Sequence, residues 1–142
     1  MSTEDEPGTT PAPQVWPTFT AKDADALIRF LVDQVGFEET AAYRGDDGVV
    51  HHAELVWPEG GGVMFGQERP GASHVTPAGS FSAYVVTATP DALHDKLAAA
   101  GADIVTAPFD TDYGSRDFAL RDPEGNHWYF GTYPGAPRRG HG

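Results

Sequence analysis

His51, His52 and Glu54 are the first residues in the chain whose types and spacing suit chemistry. On an extended strand, residues two apart share a face, so the imidazole of His52 and the carboxylate of Glu54 would stand side by side. Such a pair can move a proton, hold part of a cation shell, or make a polar contact at a cavity wall. The last of these is the commonest fate. A second group lies near the end of the chain, where Tyr113, Arg116, Asp122, Glu124, His127 and Tyr129 fall within the stretch YGSRDFALRDPEGNHWYFGT. There Asp122-Pro123-Glu124-Gly125-Asn126 has the composition of a tight turn, which gives Asp122 and Glu124 a structural role rather than a catalytic one. Arg116 stands beside Asp117, and a surface ion pair is the usual end of such a residue, with a ligand contact as the alternative.

The elements that carry these residues occur twice. Pro58-Glu59-Gly60 recurs as Pro123-Glu124-Gly125 and Phe65-Gly66 as Phe130-Gly131, both at an offset of 65 residues. Gly36 and Gly101 keep the same offset, while Asp25-Ala26-Leu27 against Asp91-Ala92-Leu93 and Gly48 against Gly114 are shifted by 66. Matches in the same order at nearly one offset indicate an internal duplication. Each half reads as strand, helix and three strands. In the first half the strands are expected over Val15 to Thr20, Phe37 to Tyr43, Val49 to Trp57 and Gly62 to Gln67. Its helix is expected from Asp23 to Val35, with Ala24, Leu27, Ile28, Leu31 and Val35 at helical spacing and Gly36 as the left-handed cap. In the second half a strand at Phe81 to Thr87 precedes a helix with Thr89 as N-cap and Pro90 at its first position. Strands at Asp103 to Ala107, Ser115 to Arg121 and His127 to Tyr133 complete it. The organisation expected is an α+β fold of two tandem βαβββ modules, residues 15–67 and 80–133. A flexible acidic arm (1–14), a connector (68–79) and a loose tail (134–142) flank them.

Composition narrows the function. Of 142 residues, 9 are basic and 21 acidic, and the formal charge of -12 repels nucleic-acid phosphates and anionic membranes while favouring cationic or neutral ligands. The chain has no Cys, which removes disulfides and thiolate metal sites. No apolar run approaches the length of a membrane span, and Met1 to Gln14 lacks the layout of a signal peptide, so the cytoplasm is the expected location.

Two βαβββ modules whose last hairpin contains Asp-Pro-Glu-Gly-Asn resemble the vicinal oxygen chelate superfamily. Within it, His52-Ala53-Glu54-Leu55 and Tyr113-Gly114 through Phe130-Gly131 look most like the glyoxalase/bleomycin resistance protein/dioxygenase group. The resemblance implies curved sheets forming half-barrels, a ligand cavity built from two modules, and a homodimer. In metal-dependent members the ligands are His, Glu or Gln on the first and last strands of each module. The register set by the repeated glycines and turns places Trp16, Met64, Ser82 and Tyr129 at those positions. None supplies an imidazole or a carboxylate, so no metal is expected there. A one-residue slip would offer His127 or Asn126 on the last strand but only Val63 or Phe65 on its counterpart.

Alternation assigns Val63, Phe65, Trp128 and Phe130 to the core and leaves Trp16, Met64, Ser82, Tyr84 and Tyr129 facing a cavity. With His52, Glu54, Tyr113 and Arg116 these form the expected ligand-binding set, suited to a planar or cationic organic molecule. The leading expectation is a metal-free binder of the drug-sequestering kind, with its groove at a homodimer interface. The alternative is an enzyme, a lyase, isomerase or oxygenase, working through a relocated Zn, Ni, Fe or Mn site or by metal-free acid/base catalysis with His52, Glu54 and Tyr129. A third possibility, a regulatory subunit with a filled barrel, binds nothing.

Overall fold

The computed structural model describes residues 13–71 and 77–137. Most of the expected arm, the middle of the connector and the end of the tail lie outside the described residues. Strand β1 (Thr18–Ala21) leads into helix α1 (Ala24–Arg29), which continues as a π-helical segment over Phe30–Val35. Strands β2 (Glu38–Arg44), β3 (Val50–Val56) and β4 (Gly62–Gln67) follow. The order then repeats as β5 (Ser82–Val86), α2 (Pro90–Ala99), β6 (Asp103–Asp110), β7 (Arg116–Arg121) and β8 (His127–Gly131). Each half makes a four-stranded sheet, ordered β1-β4-β3-β2 and β5-β8-β7-β6. The β1/β4 and β5/β8 pairs are parallel and the remaining pairs antiparallel. This is the α+β fold of two βαβββ modules.

Local chemistry sets the element ends. β1 starts later than expected, at Thr18, because Pro17 has no N–H for the ladder. The Pro17 carbonyl still accepts from the Met64 N–H at 3.0 Å. Asp23 caps α1 by accepting from the Ala26 N–H at 3.1 Å. The π-helical segment departs from a uniform α-helix. The N–H of Gly36 reaches back five residues to the Leu31 carbonyl at 2.9 Å, and Phe30, Leu31 and Val35 are all buried. Gly36, at φ 114°, closes it in the left-handed conformation. At α2, Thr89 holds the N-cap position, but its side chain makes no capping bond. The Thr87 hydroxyl instead accepts from the Thr89 N–H at 3.2 Å. α2 ends in a Schellman arrangement, with Ala102 N–H bonded to the Leu97 carbonyl and Gly101 N–H to that of Ala98, both at 3.0 Å. β6 runs to Asp110, beyond the expected end at Ala107, carrying two irregularities in its pairing with β7.

One apolar core serves both sheets. It joins Phe19, Leu55, Val63 and Phe65 of the first sheet to Val85, Phe118, Leu120, Trp128 and Phe130 of the second, with Leu27, Leu31 and Leu97 from the helices. Phe19 stacks on Phe81 at 4.2 Å between centroids, and Phe37 meets Trp128 edge-on at 5.7 Å, so rings cross between the halves.

The duplicated turn has one backbone and two chemistries. In the first copy Trp57 N–H bonds Gly61 O and Gly60 N–H bonds Trp57 O. In the second, Asp122 and Asn126 replace Trp57 and Gly61 in the same pattern, all at 2.9–3.0 Å. The Trp57 indole N–H reaches across to the Val86 carbonyl at 2.9 Å. Asp122, at the matching position, is buried and accepts four bonds: from Glu124 N–H (2.8 Å), Asn126 N–H (3.0 Å), the Asn126 amide (2.9 Å) and the Trp128 indole (2.7 Å). Asn126 passes the connection on, accepting from the Phe81 N–H at 2.9 Å ahead of β5. Glu124 reaches the other half, where its two oxygens accept from the Lys22 and Asp23 N–H groups at 2.6 and 2.8 Å.

Replacing Asp122 by Ala strands the Trp128 indole and the Asn126 amide inside the core. Urea unfolding is expected to show a loss of about 3 kcal/mol, with a smaller loss for Asp122→Asn, whose amide oxygen still accepts. A loss below about 1 kcal/mol for the alanine variant would mean that the buried donors find other partners.

Candidate functional site

Each sheet buries one face in the shared core and leaves the other open. On the first sheet Thr18, Met64, Glu54 and Ala41 lie in register across β1, β4, β3 and β2. His52 stands two residues before Glu54, and its Nε2 lies 2.9 Å from Glu54 Oε2. Its ring stacks on Tyr43 across the strand pair, 6.0 Å between centroids. The Trp16 indole covers Gly62, where an added Cβ would come within 2.8 Å of the ring. Trp16, Met64, His52 and Glu54 therefore share one face, and the last two are already bonded to each other.

On the second sheet Tyr84, Tyr129 and Ala119 are in register across β5, β8 and β7. Ser82 and His127 are paired one step along, and the His127 and Tyr129 rings stack at 6.4 Å. In the other direction Gly131 and Phe109 both pair with Asp117. Asp117 Oδ1 accepts from the Ser115 hydroxyl at 2.6 Å and the Tyr84 hydroxyl at 3.1 Å. Tyr113, on the β6–β7 loop, reaches Oδ2 at 3.4 Å. Loss of water around its hydroxyl and the Asp117 charge together raise the Tyr113 pKa above the ordinary phenol value. Its ring meets Tyr133 edge-on at 5.7 Å, and the Tyr133 N–H donates to the Tyr84 hydroxyl at 3.1 Å. Ser82, Tyr84, Tyr113 and Tyr129, all expected from the sequence, thus belong to one open face.

Arg116 does not join them. Strand alternation sends it away from Asp117, to Asp91 of α2 and Asp110 of β6, at 3.1 and 3.2 Å. The side-chain bond to Asp91 raises its pKa further. Asp117, Ser115 and Tyr133 are not among the site residues expected from the sequence, where Asp117 figures only as the neighbour of Arg116. A signal for Asp117 was available, since it stands two residues from Ala119 and opposite a glycine, on the Tyr129 face.

The two open faces lie on the outer sides of a common core, and among the described residues no hydrogen bond or ring contact joins the candidates on one to those on the other. Trp16 and Met64 are thereby separated from Ser82 and Tyr129. As a donor set these four do not fit a divalent cation, which needs imidazole, carboxylate or thiolate. Among the described residues no three or more of His, Cys, Asp and Glu are grouped to hold a metal ion. No helix among them is long and apolar enough to cross a membrane. A groove of about 440 Å³, lined by Phe37, Trp57, Val63, Val85 and Trp128 among others, opens beside β5. Sequence patterning assigned Val63 and Trp128 to the core, and the groove was not anticipated.

Known proteins share this architecture. The structure of TioX from Micromonospora sp. ML1 is 27% identical, superposes with a TM-score of 0.73, and covers 87% of this chain and 99% of its own. TnmS3, an antibiotic binding protein from Streptomyces sp. CB03234, is 21% identical with a TM-score of 0.66, covering 87% and 98%. A lactoylglutathione lyase from Agrobacterium tumefaciens is 18% identical with a TM-score of 0.67, covering 87% and 96%. The latter two, at such identities, speak to the fold alone. The uncharacterized protein Rv0887c of Mycobacterium tuberculosis is 30% identical over 126 residues, which are 84% of this chain and 74% of that one. Residues 14–130 match the model of the Glyoxalase/Bleomycin resistance protein/Dioxygenase superfamily, and the chain belongs to that superfamily.

Proposed function

We propose that this protein binds a planar organic molecule without a metal and without turning it over. The observation that carries the reading is the open face of the second sheet, where Tyr84, Tyr113 and Tyr129 present their rings around a hydroxyl-bonded carboxylate. Exposed tyrosines offer large flat area with little rotamer entropy to lose, a lining suited to stacking. The positions that hold metal ligands elsewhere in the superfamily carry Trp16, Met64, Ser82 and Tyr129, and the antibiotic-binding TnmS3 has the same fold. Because the two faces look outward on opposite sides, we further propose a homodimer in which the first-sheet face of one copy closes over the second-sheet face of the other. The cytoplasm remains the location we favour for such a sequestering protein.

A second reading rests on His52 and Glu54. At 2.9 Å the carboxylate can orient the imidazole and support its charge, the arrangement a general base needs. Turnover by His52, with or without a relocated Zn, Ni, Fe or Mn, would make the protein an enzyme of the lyase, isomerase or oxygenase type.

Titration with planar antibiotics is expected to quench tryptophan fluorescence, mainly from Trp16, since Trp57 and Trp128 sit in or against the core. Tyr129→Ala should weaken binding by about tenfold, the loss of one stacking partner. Silence across a broad set of planar compounds would remove the reading. Light scattering is expected to give twice the chain mass, and a monomer that retains full affinity would exclude the shared groove. Protein purified without chelator should carry no stoichiometric metal. Stoichiometric Zn, Ni, Fe or Mn lost in His52→Ala would establish the second reading instead.

A further inference from the structure

Among the described residues, Asp117 is a carboxylate that pairs with no cation. Its neighbour Arg116 turns to Asp91 and Asp110, and Arg121, which ends β7, pairs with Asp103 at 3.3 Å. Among the described residues no Lys, Arg or His forms an ion pair with Asp117; its partners are three neutral hydroxyls. Two of them, from Ser115 and Tyr84, occupy Oδ1, and Oδ2 has only the long 3.4 Å bond from Tyr113. An ionised carboxylate offers about four acceptor sites, so capacity remains on Oδ2.

The arrangement depends on a missing side chain. Gly131 lies directly across from Asp117 on β8, and a Cβ there would collide with Asp117 Oδ1 and with the Tyr84 hydroxyl. Glycine in a strand interior weakens the sheet, and here it makes the room in which the carboxylate lies over β8. Around it the rings are open: Tyr113 is 62% exposed, Phe109 and Tyr129 45% each, and Tyr84 40%. Ring faces attract cations, and a carboxylate set among them adds a full charge and an acceptor for an N–H donor. The net charge of -12 draws cations to the surface as a whole.

We infer that Asp117 and the tyrosines around it form a recognition site for a flat aromatic cation bearing an N–H group. The rings hold the π-system and Oδ2 accepts the N–H. This rests on the binding reading above and names the chemical class of its ligand.

The test compares proflavine, a planar cation at neutral pH, with acridine, which has nearly the same ring area and is neutral there. The wild-type protein is expected to bind proflavine at least about tenfold more tightly, and Asp117→Asn should abolish that preference while changing acridine affinity by less than about twofold. The asparagine oxygen can still accept from Ser115 and Tyr84, so the strand pairing has no reason to fail. An independent measurement needs no variant: raising salt should weaken proflavine binding and leave acridine binding unchanged. Equal affinity of the wild type for both dyes, or an equal loss for both in Asp117→Asn, would overturn the cation site and leave the binding reading standing. Failure of the protein to bind either dye would count against both.

Discussion

Trp128 can sit at the centre of the core because Asp122 takes its indole N–H. The ring is 1% exposed and touches Phe37 from the other half of the molecule and Phe81 at the entry of β5. Left unbonded, a buried indole donor costs free energy comparable to a lost hydrogen bond. Asp122 is itself buried, and it is admissible there because four donors surround it. Three of the four come from the turn that Asp122 begins and one from the strand that follows, so the second copy of the repeated turn is a folding device. Glu124, two residues on, ties the same turn to the entry of α1 in the other half.

That shared core decides where ligands can go. Both sheets turn their apolar faces inward onto the same helices and rings, leaving Met64 and Glu54 on one outer side and Tyr84 and Tyr129 on the other. Side chains on these outer faces make few demands on the core, so they can change without loss of the fold. The superfamily's metal chemistry and a metal-free aromatic face can therefore occupy the same framework. On the proposed reading, Trp16, Met64, Ser82 and Tyr129 supply area and hydroxyls in this chain where metal-dependent members supply charge and lone pairs.

Much of this was readable from local pattern. The Pro-Glu-Gly repeat gave the two modules because the same turn recurs with the same backbone bonds. Gly36 and Gly101 marked the helix ends because both positions need a left-handed residue. Alternation separated Trp128 and Phe130 from Tyr129, since neighbours on a strand point opposite ways. What escaped was set by partners far apart in the chain. The Glu124 clamp joins residues about a hundred positions apart, and Arg116 chooses Asp91, which only folding brings near. The same holds for Asp117, whose bond to Tyr84 spans the whole of α2 and β6. The π-helical segment escaped for another reason: Leu31 and Val35 keep ordinary helical spacing, and only the bond from Gly36 back to Leu31 reveals the widened turn.

Comparing the carboxylates separates structural acid from available acid. Asp25 pairs with Arg44 at 2.6 Å, and that bond holds its pKa below the ordinary value. Asp91 and Asp110 share Arg116, and Asp103 takes Arg121. Among the described residues Asp122 pairs with no cation, yet four donors divided between its two oxygens fill its acceptor capacity, and its burial excludes any ligand. Asp117 also has no cation among the described residues, but its donors crowd one oxygen, and it is only partly buried on a face of open rings. Both groups are acceptors held by neutral donors. They differ in how many acceptor sites remain and whether another molecule can reach them, and on both counts Asp117 is the one still open to a ligand.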